Sequence, residues 1–592
     1  MARKKQATKS STGSVSANVN GGQKRPPRSN SDKKQFYGGK GADKVPSRGR
    51  FDGKEEQSYL PAAGAGNKYG LNDFSWYNQY PELTQGAGRL PFPYRPGRLL
   101  DLHLDGVSST NAGAGKYGIP GVMTLAWAPS FGTSDNVLSP VSIAAKEIYA
   151  KVRSSFSGAL DADAPDFIMY FGALDSIFSY IGWLKRLYKL LDAYSPENYA
   201  IPDALLRAMN LSANDIAGLR AHKADVFAFT NELIRMTQKF RFPAVMDLFK
   251  RHYWMNENVY TDAASINSQF YMFNQFWYYK YSLLNVPGTE PAVQAGGLTM
   301  VAGPGSFEWN ESLRLHPEPL FEFGKSLIDA LAASDDAYTI SGYLMRAYEG
   351  APEFTVDLLE LHSDFVPVYV PEVLAQIENS STVCNTSDNT ALLANFGDLN
   401  VYQDPSSNTV KCRVAVNATS SGIDNFGPTL VGSKALLNVR NDLPTVEDVF
   451  IATRLKAFPT GEKTDDGKML FHVGTELPLS WTAFYPAIGA ASGQRQWLSI
   501  AIPTWARVEF SPAQAARQSG VGLVHALLLK SQFDWAPLTV VGLLNTDSTT
   551  GGDDVSLIEL AGDAHNVTLI GEDEIANLHR IALYSELNAF RA

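Results

Sequence analysis

Residues 167–191 read FIMYFGALDSIFSYIGWLKRLYKLL, and no other stretch limits the fold as severely. Its less apolar positions, Gly172, Asp175, Ser179, Gly182, Arg186 and Lys189, recur at spacings of three and four. They therefore form one narrow stripe on a helix that is otherwise apolar all round. Such a helix must be wrapped by the rest of the chain, and the small residues on its stripe admit a close helical neighbour. Asp175, Lys185 and Arg186 interrupt the segment, so it contains no run of 18 or more apolar residues to cross a bilayer. The expectation is a buried core helix in a soluble protein, starting near Pro165-Asp166. A chain of 592 residues, 44% hydrophobic and 11% aromatic, has the material to wrap it.

Helical periodicity is also predicted at 142–157, 202–209, 212–238, 242–251, 318–333, 335–348, 371–379, 445–458 and 573–588. The stretch 380–444 alternates in short runs bounded by Asn, Ser, Asp and Gly, as strands and turns do. Similar β-like runs occupy 468–482, 496–510, 521–531 and 538–544, and the Gly/Pro-rich 286–306 reads as a long loop. No fixed-period repeat is present. The fold class expected is α+β, predominantly helical.

Charge divides the chain in two. Residues 1–50 hold 13 cations (Arg3, Lys4, Lys5, Lys9, Lys24, Arg25, Arg28, Lys33, Lys34, Lys40, Lys44, Arg48, Arg50) against Asp32 and Asp43, a balance of +11. The other 542 residues carry 38 basic and 59 acidic side chains, or −21. The arm has no Leu or Ile and three Val. It cannot bury enough apolar surface to offset chain entropy, so it is expected to be disordered. It lacks the apolar core of a secretory signal and the amphipathic content of a transit peptide. Binding to nucleic acid by counterion release needs no defined structure and suits such a tail better than mere solubilisation.

The chemical motifs dissolve on inspection. Gly552-Asp553-Asp554 matches the magnesium-holding triplet of RNA polymerases, but its upstream flank NTDSTTG reads as a turn. The D-x4-D partner, Asp161 to Asp166, lies far away at a helix cap, and only 38 residues follow Asp554. Gly324-Lys325-Ser326 imitates the end of a phosphate loop, yet Pro319 stands where that loop needs glycine, so a helix start is the expectation. The nine histidines show no ligand spacing, and Cys384 and Cys412 are too few for a disulfide framework, which fits a reducing compartment. No G-x-S-x-G elbow occurs. No cofactor or metal is called for.

From Phe270 to Tyr281, eight of twelve residues are aromatic. Such density could serve as a base-stacking platform, but Lys280 is its lone interleaved cation. Trp254, Tyr260, Phe270 and Trp277 are accordingly expected in a core or a subunit seam.

The segments FGALDSIFSYIGWLKRLYKLL, RHYWMNENVYTDAASINSQFYMF, PTVEDVFIATRL, QFDWAPL and LHRIALYSELNAF together resemble the capsid proteins of picobirnaviruses, over roughly 160–280 and 444–592 and weakly between. The resemblance implies a largely helical shell domain, a strand- and loop-rich projecting region, symmetric dimers assembling into an icosahedral shell around double-stranded RNA, and a disordered basic N-terminal arm facing that RNA. It places the arm at 1–57, shell at 58–379 and 445–592, and projecting or inserted chain at 380–444. It also implies a virion protein assembled in the host cytoplasm, not an enzyme. Some relatives resemble self-cleaving systems that release an N-terminal peptide. An asparagine side chain can attack its own peptide carbonyl, and Asn67 in GAGAGNKYG is the local candidate. A cellular RNA-binding scaffold and an enzyme with a dispersed site are the remaining alternatives.

Overall fold

The computed structural model describes residues 77–89, 96–101 and 116–590, apart from internal segments at 196–199, 265–266, 287–290, 310, 315, 385–398, 417–433, 489–494, 510–513 and 546–553. Two compact units result, 1–92 and 93–592. In the first, helix α1 (Pro81–Gly88) buries none of its residues. Everything below concerns the second.

The second unit opens with a short antiparallel pair, β1 (Leu99–Asp101) and β2 (Lys116–Gly118), and then β3 (Val122–Pro129). Six helices follow: α2 (Pro140–Ser155), α3 (Ala164–Asp192), α4 (Ala200–Ala208), α5 (Ala213–Ala221), α6 (Lys223–Thr237) and α7 (Asp247–Glu257) continue the series begun by α1. The helix expected over 212–238 is two, because His222 leaves helical geometry at φ −112°, ψ 29°. Next come β4 (Tyr260–Thr261), β5 (Phe270–Gln275), β6 (Trp277–Asn285) and β7 (Gln294–Ala302), then α8 (Glu318–Ala332), α9 (Asp335–Ala347) and α10 (Pro371–Asn379). Short strands β8 (Tyr402–Asp404), β9 (Thr409–Lys411), β10 (Ala415–Val416) and β11 (Lys434–Val439) lead to α11 (Val446–Thr453). The chain ends with β12 (Phe458–Lys463), β13 (Met469–His472), β14 (Glu476–Ile488), β15 (Arg495–Ile502), β16 (Trp505–Glu509), α12 (Gln514–Lys530), β17 (Thr539–Asn545), β18 (Asp554–Ala561), β19 (Asn566–Gly571) and α13 (Glu572–Glu586).

The stripe-bearing segment is α3, and it is buried without a break from Phe167 to Tyr188. By length and composition it could cross a membrane, which the sequence reading did not allow, but its apolar window lies wholly inside the protein. Asp163 caps its start, and the Asp166 carboxylate accepts from the Asp163 N–H at 2.7 Å. Helices α2, α6, α7, α8 and α9 and strands β6 and β7 pack around it.

A five-stranded sheet in the order β15-β14-β3-β5-β4 stands beside this bundle, with β3 antiparallel to β14 and parallel to β5. Every residue of β3 is buried. Because strand side chains alternate, Val122, Ala126 and Ala128 join the core around α3, while Met123, Leu125 and Trp127 join a second core on the other face. Opposite them, β14 carries a bulge between Pro478 and Ser480. One inserted residue exchanges the faces of a strand. Thus Leu477 and Leu479 point into the α3 core, and Trp481 and Ala483, of the same parity, point into the other.

Helix and strand are thus interleaved, an α+β body less helical than expected. Part of the supposed loop 286–306 is β7, paired along its length with β6. Its glycines misled the reading. Gly297 sits in that strand because a Cβ there would lie 2.8 Å from the Val401 carbonyl of the chain crossing it. The β-like run 521–531 belongs to α12, whose apolar residues lie on exposed positions (Val524, Leu528) as well as buried ones (Ala526, Leu529), so no helical period stands out. Gly324-Lys325-Ser326 lies inside α8 and does not start it. A Cβ on Gly324 would come 2.7 Å from Tyr180, which explains the glycine as a contact with α3. In 380–444 the described strands are packed on the body, with Val401 and Val410 fully buried.

Trp183 is fully enclosed on α3, and its indole N–H donates to Asn274 Oδ1 at 2.9 Å. Trp183→Ala is expected to destabilise the subunit by about 3–5 kcal/mol through the cavity and the orphaned amide, checked by the denaturant midpoint against wild type.

Candidate functional site

The stripe on α3 receives α7, and what it forms is a buried ionic seam. Gly182 brings the helices together: a Cβ there would lie 3.0 Å from the Tyr253 carbonyl oxygen. On either side Asp175 and Lys189 find charged partners. Asp175 Oδ2 lies 2.7 Å from His252 Nδ1, and Lys189 Nζ is 2.9 Å from Glu257 Oε1. Arg186, 1% exposed, donates to the Phe273 carbonyl at 2.8 Å. Gly172 is the exception, facing Leu298 of β7 and Phe131.

From His252 the seam runs outward through three further elements. Glu476, the first residue of β14, has Oε1 3.5 Å from His252 Nε2 and accepts from Arg251 Nε. Its other oxygen is 3.4 Å from Arg454 Nη2, which also donates to Glu586 Oε1 of α13 at 2.6 Å. Thr475 Oγ1 closes the circuit to Glu586 Oε2 at 2.8 Å. Three carboxylates (Asp175, Glu476, Glu586) thus face three cations (Arg251, Arg454 and protonated His252), and the cluster is neutral only when the imidazole is charged. Burial works against that charge, but Asp175 and Glu476 outweigh it and hold His252 up at about 9. Burial likewise opposes the Glu476 charge, and Arg251 and Arg454 overcome it, keeping the carboxyl well below its ordinary range. Burial pushes the Asp175 carboxyl up, with His252 opposing.

An Asp–His pair suggests a catalytic relay, yet this geometry cannot run one. The ring is 1% exposed, and its second nitrogen faces a carboxylate where a nucleophile would need to stand. A cleft of about 520 Å³ between the β3–α2 connection and α13 is lined by His472, His579 and Arg580. Its histidines are engaged elsewhere: His472 with Glu572 at 3.3 Å, and His579 with the Thr453 carbonyl at 3.0 Å. Among the described residues no group of three or more His, Cys, Asp or Glu could hold a metal. The seam instead clamps α3, α7, α11, β14 and α13 into one body.

The other singled-out residues are placed as follows. Tyr260 is fully buried and Trp277 5% exposed, while Trp254 and Phe270 are half-buried against the two cores. The aromatic run is split between those cores, with Tyr271 and Phe273 in one and Phe276, Trp277, Tyr278 and Tyr279 in the other. Buried rings of this kind leave no open faces for bases. Asp554 opens β18, paired with Asn545 of β17, and Asp553 lies outside the described residues. The thirteen cations of the arm and Asn67 also lie outside them. Cys384 and Cys412 are both buried.

The family model for the picobirnavirus capsid protein matches residues 76–469. The chain belongs to the picobirnavirus capsid protein family. The capsid protein precursor of human picobirnavirus is 28% identical over 487 residues, 79% of this chain and 83% of that protein. The crystal structure of the picobirnavirus capsid superposes with a TM-score of 0.67 at 21% identity, covering 88% of this chain and 98% of the other, so the fold is shared. Membership makes this a structural protein of the virion, one that self-assembles into a shell and not an enzyme. A seam joining residues 175 to 586 therefore serves rigidity. Sequence reading located its α3 half through Asp175 and Arg186 but not His252, Glu476, Arg454 or Glu586. The only local hint was the charged pair Arg251-His252 beside an aromatic run.

The imidazole sets a pH dependence. With an ordinary value of 6.5 and a folded value of about 9, His252 binds its proton more tightly in the folded chain. Its stabilising contribution, on the order of 3 kcal/mol, is complete below about 6.5 and is lost as pH rises through about 9. The buried Lys456 and Lys530, each lowered to about 7 by burial, act in the opposite sense. The expected result is therefore a difference: between pH 6.5 and 9, wild-type stability falls relative to that of His252→Gln, measured by denaturant titration at each pH.

Proposed function

We propose that this capsid protein builds an icosahedral shell from symmetric dimers and packages double-stranded RNA through its N-terminal arm, assembling in the host cytoplasm. The observation that carries the reading is the segregation of +11 in residues 1–50 from −21 in the remainder. A polybasic tail releases counterions from phosphates without reading sequence. An acidic body repels the same polymer, so RNA is held by the arm and kept from adhering to the folded surfaces that must meet other subunits. Residues 58–379 and 445–592 act as one shell-forming body. The pairing of β3 with both β5 and β14 supports this, since it joins the two stretches within one sheet.

Deleting residues 1–50 is expected to leave particles that form at moderate salt but lack RNA, read from microscopy together with the ratio of absorbance at 260 and 280 nm. Equal RNA content with and without the arm would overturn the packaging role. RNA affinity of the full chain is expected to drop steeply between about 50 and 200 mM salt, with little dependence on RNA sequence.

Release of the arm region by self-cleavage at Asn67 completes the reading. The Gly-rich surroundings GAGAGNKYG favour attack of the side-chain amide on its own carbonyl, and the human relative is named as a precursor. Intact-mass measurement of assembled particles is expected to find a chain starting at Lys68, absent from Asn67→Ala. A full-length chain in mature wild-type particles would refute the site.

A further inference from the structure

After α9 the chain runs for some twenty residues as a strap with almost no ladder of its own. It is fixed by polar anchors from the bundle. Asn231 Oδ1 accepts from the Leu359 N–H at 2.8 Å, Tyr188 donates its hydroxyl to the Leu361 carbonyl at 2.7 Å, and Asp192 Oδ2 accepts from the Ser363 N–H at 3.1 Å. The Val368 N–H donates to the Val259 carbonyl at 2.9 Å. With the backbone held on its inner side, the strap turns apolar side chains outward: Leu358 is 44% exposed, Leu361 63%, Val366 70% and Tyr369 54%. Scattered exposed apolar residues are ordinary, but four within twelve positions of a tethered segment make a patch. Asp357, Glu360 and Asp364 lie exposed among them, with His362 as the one basic group between. The ridge is apolar and acidic.

A complementary surface lies on α9. Tyr338 and Met345 are 48% and 54% exposed, and Gly342 sits between them on the same face, where a Cβ would meet nothing within 4 Å. Glycine weakens a helix interior by about 1 kcal/mol, and among the described residues nothing packs closely enough to need it. Its use is to let another body approach. Arg346 is exposed beside Met345, and Lys239 Nζ lies 6.0 Å from the Tyr338 ring centre. Asp335 and Glu349 stand at the two ends of the helix. The middle of this face is apolar and basic.

These two surfaces belong to opposite ends of α3. The strap is tied to Tyr188 and Asp192, and α9 is tied to the residues before the helix, where the Tyr343 hydroxyl accepts from the Asp161 N–H. At 1.5 Å per residue the ends stand about 40 Å apart, so a strap cannot reach the α9 face of its own chain. We propose that the strap ridge at Leu358–Tyr369 of one copy docks on the Tyr338–Gly342–Met345 face of the next copy, head to tail. The contact rests on the shell-building reading and supplies it with a heterologous interface, the kind that closes into rings when its rotation allows. A two-fold contact of strap on strap would set three carboxylates against three, whereas strap on α9 sets them against Arg346 and Lys239.

The test uses the full chain in two variants: Leu361→Asp with Val366→Asp on the strap, and Gly342→Trp on α9. Both alter exposed positions, and unchanged circular dichroism and thermal midpoint verify folding. Under conditions in which the unmodified chain forms shells, each variant alone is expected to lose shells and remain in small species by sedimentation. An equimolar mixture is expected to give, by native mass spectrometry, mixed species larger than any that either variant forms alone, because the intact strap of one meets the intact face of the other. Normal shells from either folded variant, or no mixed species, would overturn the contact. Absence of shells from the unmodified chain would overturn the assembly reading beneath it.

Discussion

Everything in the folded body depends on the way α3 is buried. A 29-residue helix enclosed on all sides supplies far more apolar contact than any surface helix, but it carries Asp175, Lys185 and Arg186 inside with it. Those groups would be costly if unpaired. The structure answers by running α7 along the one polar stripe and then extending the charges, through His252 and Glu476, to Arg454 and Glu586. The neutral count of three anions and three cations makes the whole set interdependent, since removing any one leaves an uncompensated charge in a dry interior. Such a cluster adds little net stability over an apolar core. It does fix the register of five elements at once, which suits a subunit that must present the same outline to every neighbour.

The sheet solves a second problem, that of keeping two cores on either side of one strand. In β3 simple alternation is enough, with Trp127 and Ala128 pointing opposite ways. In β14 the bulge between Pro478 and Ser480 is needed to send Leu479 to one core and Trp481 to the other. The aromatic run after Phe270 is divided in the same manner, so its density reflects the demand of two interiors at once.

How far the sequence could be read follows from the range of the interactions involved. Local rules sufficed for α3, its start near Pro165-Asp166 and its stripe, and for most helix positions, because period and start signals lie within a few residues of each other. They failed where a distant segment decides. Gly297 looks like loop until Val401 crosses it, and Gly324 looks like a helix start until Tyr180 of α3 is seen against it. The helix α12 was hidden by apolar residues on its exposed face. The ionic seam was half legible, since an Asp and an Arg inside an apolar helix demand partners. Nothing near Asp175 in the chain identifies its partner as His252 or the groups beyond as residues 454, 476 and 586, and Arg186 finds backbone carbonyls, that of Phe273 at 2.8 Å, in place of a carboxylate. The family resemblance rested on whole segments and so reached the function without passing through the seam.

The central sheet also dictates a schedule for biosynthesis. The antiparallel partner of β3, strand β14, emerges from the ribosome some 350 residues after it, and Glu586, the last anion of the seam, follows more than 400 residues after Asp175, the first. Contacts so remote in sequence form slowly and only after the intervening chain exists. The nascent chain therefore holds an open sheet edge until β14 is made and an unbalanced set of seam charges until Glu586 is made. Locking of the subunit thus waits for the segment around Glu586, and a copy terminated before it has no rigid outline with which to enter the shell.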